Sequence, residues 1–285
     1  LSKRFQWERE ENVAARLEAQ KLVVEKTKEN ERIVLSQNVI LEERVGQRTK
    51  QLERANIQLS NTLQTVEEEK AKSDALLLNI LPKSTAEELK EKGYAEPRYF
   101  ENVSVLFTDF KDFTSTTTNM TPQRLLEDLN ECFKAFDDIV KSLGLEKIKT
   151  IGDSYMAAVG LPKESSEHAV LAVKCALQMK EFINDWQESQ LKLGRPSWEI
   201  RIGIHSGPVV AGVVGYHKFA YDIWGDAVNI AARMENNSAA GKINISDNTY
   251  NLVKEYFECS PRGMMEVKGK GEMKMYWVEG ELTLK

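Results

Sequence analysis

The first 75 residues contain no proline and a single glycine, Gly46, and carry 14 Lys/Arg against 14 Asp/Glu. A stretch of that length with no helix breaker and many good helix formers folds as one long helix. Alternate steps of three and four residues from Val13 through Leu17, Val24, Val34, Leu41, Val45, Leu52 and Leu59 to Val66 trace an unbroken seven-residue frame. In that frame Glu31 and Asn38 are polar members of the a layer, and Gln20, Thr27, Arg48 and Thr62 weaken the d layer. The seam predicts a marginal parallel coiled coil in which Asn38 sets the register. A solvated single helix is the competing reading.

The pattern turns densely apolar at Leu76, Leu77, Leu78, Ile80 and Leu81 and is broken by Pro82, which cannot continue a helix. A short helix over 86–92, stopped at Gly93, leads to a β-branched and aromatic run at 103–109 that reads as a buried strand. The expected division is a helix over 1–78, a linker over 79–98 and a second domain over 99–285. Within the second domain, helices are expected over 121–143, 164–192 and 226–237, a hairpin over 145–160 turning at Gly152-Asp153, and strands within 198–222. The hairpin excludes a purely parallel sheet, so the fold class is α+β with antiparallel neighbours in the sheet.

A net charge of −5 and a pI near 5.5 leave no basic field to gather nucleic acid, which is therefore not an expected partner. Cys132, Cys175 and Cys259 are far apart and form no CxxC pair, which argues against zinc and fits a reducing, cytoplasmic setting. No run approaches the ~20 apolar residues of a membrane span, and the N-terminus lacks signal-peptide order. A chain opening on Leu1 rather than Met is expected to be a fragment, with its upstream sensor or membrane domain lying outside it.

The common phosphate loops GxxxxGK[ST] and GxGxxG are absent, as is HExxH. Gly203-Ile-His205-Ser206-Gly207 lacks the strand-to-helix elbow of a serine hydrolase. Asp109 and Asp153 each end an apolar strand, and adjacent strands lie about 4.8 Å apart, so the two carboxylates are placed to share divalent cations with phosphates. The plainer alternative is an aspartate that closes a turn or caps a helix. Lys149 stands an even four residues before Asp153, which puts both on one face of an undistorted strand, where they can pair as ions. Asn229 and Arg233 lie one turn apart on the helix that Asp226 opens, an amide and a guanidinium suited to an anionic transition state or to a solvated surface.

Phe107-Thr-Asp-Phe, Lys147-Ile-Lys-Thr-Ile-Gly-Asp, Gly203-Ile-His-Ser-Gly-Pro-Val-Val-Ala-Gly, Tyr221-Asp-Ile-Trp-Gly-Asp-Ala-Val-Asn-Ile-Ala-Ala-Arg and Val267-Lys-Gly-Lys-Gly follow one another in the order and spacing of a known family. About 180 of the 285 residues, from Tyr99 to Glu279, resemble a class III nucleotidyl cyclase catalytic domain, and the upstream helix resembles the signalling coiled coils and transducer segments that precede such domains. The resemblance implies a ferredoxin-like α+β fold that makes a cyclic nucleotide and pyrophosphate, in a homodimer whose sites are shared between protomers.

Carried over residue by residue, the resemblance implies that Asp109, Asp153 and the Phe110 carbonyl hold two Mg²⁺ or Mn²⁺ ions. The turn at Phe113 and Thr114 would meet the phosphates. Asn229 would orient the ribose, Arg233 would face the α-phosphate, and Lys268 would hold the terminal phosphates with Lys270 as a helper. Lys149 and Asp222 occupy the base-recognition positions, where the family pairs Lys with Asp for adenine and Glu with Cys for guanine, so ATP is the expected substrate. Asp112 departs from the pattern, standing where the family usually has glycine and adding negative charge near the triphosphate. Guanylyl cyclase and a silent nucleotide-binding relay are the competing functions; no GG[DE]EF-like turn supports a diguanylate cyclase.

Overall fold

The computed structural model describes residues 2–118, 120–215 and 219–282, with side chains from residue 7 onward. The chain divides into two compact units, Leu1–Ala75 and Leu76–Lys285. The first consists of the long helix α1 (Ser2–Leu78) up to its last turn. Its seam is exposed among the described residues, with Leu17, Val24, Val45 and Leu52 between 51% and 62% exposed.

The second unit begins with the end of α1 and with α2 (Lys83–Lys92). This helix starts three residues before the expected position because Pro82, with φ −56, stands just outside it and lends its carbonyl to Ala86 N. It stops at Gly93, whose φ of 78 only glycine adopts cheaply. Then follow β1 (Arg98–Phe110), α3 (Phe113–Thr117), α4 (Pro122–Ser142), β2 (Glu146–Ile151), β3 (Ser154–Val159) and α5 (His168–Lys192). The chain continues with β4 (Ile200–Val214), β5 (Ala220–Trp224), α6 (Asp226–Asn236), β6 (Ile243–Ser246), α7 (Asp247–Val253), β7 (Phe257–Val267) and β8 (Gly271–Glu281). Helix α5 starts at His168, four residues after the expected 164.

The sheet order is β2-β3-β1-β4-β6-β8-β7, with β5 hydrogen-bonded to the far end of β4. All pairings are antiparallel except β4 with β6, so the sheet is mixed, as the hairpin at Gly152-Asp153 required. Side chains alternate across β1. Leu106 and Phe110 face a core built with Phe136 of α4, Ala172 and Met179 of α5 and Ile200, Ile202 and Ile204 of β4. Val103, Val105 and Phe107 face the opposite layer, built by Ala227 and Ala231 of α6, Ala86 of α2 and Met156 of β3. Cys132 and Cys175 lie in the first core, and burial pushes both thiols up to about 12.

Helix α6 crosses β4 at Gly203, where a Cβ would stand 1.9 Å from the Glu235 nitrogen. Gly203→Ala therefore forces α6 off the sheet, an overpacking expected to cost at least about 1–3 kcal/mol. Thermal unfolding checks this; an unchanged Tm would show that the crossing yields.

A chain of buried polar groups ties the sheet to α5 and α7. Ser104 Oγ lies 2.8 Å from His168 Nδ1 and 2.7 Å from Ser206 Oγ, which continues to Thr249 Oγ1 at 3.0 Å. Thr249 meets Ser246 Oγ at 3.2 Å, and Ser246 meets His205 Nδ1 at 2.7 Å. Burial lowers His205 from 6.5 to about 4, against the opposing pull of Asp226. Above pH 6.5 neither state of the chain binds this proton. As pH falls from 6.5 to about 4 the unfolded chain takes it up and the folded one does not, so stability is lost across that window, on the order of 3 kcal/mol in all. Urea unfolding of wild type and His205→Gln is expected to show the wild type losing that amount relative to the variant as pH falls; a pH-independent difference would refute the assignment.

Candidate active site

Asp109 is the penultimate residue of β1 and sits directly across from Arg201 of β4. Both of its carboxylate oxygens are engaged: Ser154 Oγ donates to Oδ1 at 2.7 Å, and Arg201 donates to Oδ2 from Nη2 at 2.6 Å and from Nε at 3.2 Å. Arg201 Nε also lies 2.6 Å from Glu235 Oε1 of α6. Burial pushes Glu235 up to about 7, against the pull of Arg201.

Asp153 occupies the β2–β3 turn, which Gly152 closes at φ 64. Burial and the Asp109 carboxylate hold Asp153 above the usual aspartate range, while the Phe110 backbone N–H opposes the rise. Asp109, Phe110 and Asp153 thus converge. Two crowded carboxylates are a site that a divalent cation relieves, and carboxylate and carbonyl oxygens are the hard donors Mg²⁺ or Mn²⁺ accepts. Among the described residues no group of three or more His, Cys, Asp or Glu side chains converges, so such an ion would complete its shell with water and substrate phosphates.

The turn after β1 is anchored through its aromatic side chains. The Phe113 ring packs at 5.1 Å from Trp198 and 6.3 Å from Phe110, so Phe113 turns its ring inward. What Phe113 and Thr114 can offer a ligand is their backbone N–H groups, since a helix's first turn has no intrahelical acceptors for them. Asp112 precedes them with φ 54 and ψ 27. That left-handed conformation is the physical reason for glycine at such a position, and aspartate is one of the few other residues that enters it readily. The Asp112 carboxylate is exposed, and its carbonyl accepts from Thr116 N and Ser115 Oγ.

Lys149 does not pair with Asp153. The even-spacing argument fails because the β2–β3 register shifts between Lys147 and Lys149 and because Asp153 lies in the turn. Lys149 Nζ instead reaches Asp222 of β5 at 2.6 Å, and Asp222 Oδ1 is fixed by the Ile223 N–H at 2.9 Å. Asn229 is exposed and Arg233 half-buried, one turn apart on α6. Lys268 is exposed in the β7–β8 turn, which Lys270 pins to α6 through a 2.5 Å contact with Asp226.

Residues 95–280, from just before β1 to the penultimate residue of β8, match the family model of the adenylate and guanylate cyclase catalytic domain. The chain belongs to this family. This class III cyclase chain is 41% identical over 217 residues to an adenylate cyclase of Mycobacterium tuberculosis, covering 75% of the chain and 48% of that protein. It is 39% identical over 222 residues to atrial natriuretic peptide receptor 2 of Homo sapiens, covering 75% of the chain and 20% of the receptor. The chain therefore spans about half the length of the first relative and a fifth of the second. Among solved structures, the guanylate cyclase domain of RhGC from Catenaria anguillulae in complex with GTP is similar at TM-score 0.60 and 39% identity, over 65% of this chain and 100% of that one. Residues 10–89 match a second family model, heme NO binding associated. Among the described residues no helix is long and apolar enough to cross a membrane.

Arg201 and Ser154, which hold Asp109, and Glu235, which pairs with Arg201, are absent from the sequence expectations. The available signal was a lone arginine in the otherwise apolar and small-residue run Ile200-Arg-Ile-Gly-Ile, where a buried charge demands a partner.

Proposed function

We propose that this cyclase is an adenylyl cyclase that converts ATP into 3′,5′-cyclic AMP and pyrophosphate at sites shared between protomers of a homodimer. The observation that carries the reading is the Lys149–Asp222 pair at 2.6 Å. An ammonium donor beside a carboxylate acceptor matches adenine, whose N1 accepts and whose exocyclic amine donates, and mismatches guanine, where the two roles are exchanged. Because Asp222 is anchored by the Ile223 N–H, it stays in place when Lys149 turns to a base.

In the reaction the ribose 3′-oxygen bonds to the α-phosphorus, its proton leaves to solvent, and the bond from the α-phosphorus to the bridging oxygen breaks. Asp109, Asp153 and the Phe110 carbonyl would hold Mg²⁺ or Mn²⁺, which when bound supplies polarisation of the attacking hydroxyl and neutralises the departing pyrophosphate. Asn229 orients the ribose, and Arg233 stabilises charge on the α-phosphate. Lys268 and the N–H groups of Phe113 and Thr114 hold the terminal phosphates. The α1 seam supports pairing of two copies through a parallel coiled coil, with residues 79–98 as the transducer to the catalytic domain over 99–285. The match to a heme NO binding associated segment supports a sensor upstream of it.

The similarity to a GTP-bound guanylate cyclase domain favours guanylyl cyclase as the second reading. The test is an assay of purified protein with ATP and with GTP, each with Mg²⁺ and with Mn²⁺, scoring cyclic nucleotide and pyrophosphate. Cyclic AMP in excess is expected. Cyclic GMP in excess would replace the substrate assignment, and no product from a verified dimer would replace catalysis by a silent relay.

A further inference from the structure

We propose that α2 positions the base-recognition carboxylate: sharing one core layer with β5, it sets the place of Asp222 against Lys149, and its displacement loosens the choice between ATP and GTP while sparing the phosphoryl chemistry. The inference rests on the reading that Lys149 and Asp222 meet the base, and it deepens that reading by naming how residues 79–98 reach the site.

The strand β5 has five residues and is hydrogen-bonded to β4 alone among the described strands. So short a strand with a single ladder takes its place from what packs on its face. Side chains alternate along it: Tyr221 and Ile223 turn into the core, and Asp222 between them leaves by the other face, where it meets Lys149. The layer that buries Tyr221 and Ile223 also buries Leu81 and Ala86, and takes up Leu89 of α2 and Leu77 from the last turn of α1.

Polar contacts tie α2 to the same place. Ser84 and Thr85 line a narrow cavity together with Arg98, Gly212 and Tyr221, and Gly212 is the strand partner of Asp222. Glu88 of α2 is clamped by Arg98 of β1 at 2.9 Å and by Lys92 at 3.0 Å. Burial raises the Tyr221 phenol, Glu146 adds to the rise and Arg98 opposes it, so the guanidinium that clamps α2 also acts on the residue beside Asp222.

Helix α6, which carries Asn229 and Arg233, enters this layer through Ala227 and Ala231. It has other supports, in the close crossing at Gly203 and in Met265, Met273 and Met275 packed with Ile230 and Met234. Asp109 is held separately by Ser154 and Arg201. A close-packed layer passes a shift on to its neighbours, and β5 is the member with the least else to hold it. Ala86 and Glu88 touch no substrate in this scheme and are positioning residues that act through Asp222.

The test uses the full chain and the α,β-methylene analogues of ATP and GTP, which cannot release pyrophosphate, so that affinity is read without turnover; kcat is measured separately with ATP and GTP. Ala86→Val overpacks α2 at a position 1% exposed, and Glu88→Ala opens its clamp without touching the core. Each is expected to lower the ratio of ATP-analogue to GTP-analogue affinity about tenfold, with kcat for ATP within about threefold of wild type, because misplacing one member of a recognition pair relaxes selection. Ala172→Val makes the same substitution on α5 in the other core and is expected to lower Tm while leaving the affinity ratio unchanged. Wild-type ratios in both Ala86→Val and Glu88→Ala would overturn the inference, as would an equal loss of selection in Ala172→Val. Asp222→Ala separates the two readings: if it keeps the wild-type ratio, or if wild type binds neither analogue, the base reading itself fails and takes the inference with it.

Discussion

Asp109→Asn is expected to lower cyclic nucleotide formation by about three orders of magnitude while leaving the fold intact, because it removes a charge on which transition-state neutralisation depends. The fold should survive. Asparagine keeps an oxygen that can accept from Ser154, and the released Arg201 retains Glu235 as a partner at the distance already present. The loss should therefore be chemical, seen in single-turnover rate with unchanged circular dichroism and unchanged dimer mass. A variant within tenfold of wild type would remove Asp109 from the chemistry.

The second large effect is a change of base. Lys149→Glu combined with Asp222→Cys is expected to move the ratio of kcat/KM for ATP over GTP by at least about a thousandfold toward GTP, since a site built to hydrogen-bond one polar pattern rejects the other strongly. Lys149→Glu alone should cripple both substrates. It leaves two carboxylates where the structure holds an ion pair of 2.6 Å. An unchanged ratio in the double variant would place base selection elsewhere in the chain.

Local signals made much of the catalytic domain legible. The apolar run before Asp109 is strand in full, the Gly152-Asp153 turn closes a hairpin, and the helix carrying Asn229 and Arg233 starts at Asp226 as expected. Each of these rests on residues a few positions apart, where period and turn chemistry act directly. What escaped the reading depends on register between distant segments. Arg201 meets Asp109 across 92 positions of sequence, and nothing local to either residue states that pairing. The pairing of Lys149 with Asp153 that even spacing allows fails for the same reason: one irregularity in the β2–β3 ladder resets the alternation on which that face depends, and Lys149 meets Asp222, with which the resemblance had coupled it. The inward turn of the Phe113 ring was equally hidden, since it is decided by Trp198 arriving from beyond α5.

Burial of the thiols has a consequence for their oxidation. Cys132 and Cys175 are held up to about 12, and Cys259 is pushed up to about 11 by its own burial. Oxidants and electrophiles attack the thiolate, and at neutral pH such groups present it in about one molecule in ten thousand or fewer. Peroxide, nitrosating agents and alkylating probes should therefore find almost nothing to modify in these residues.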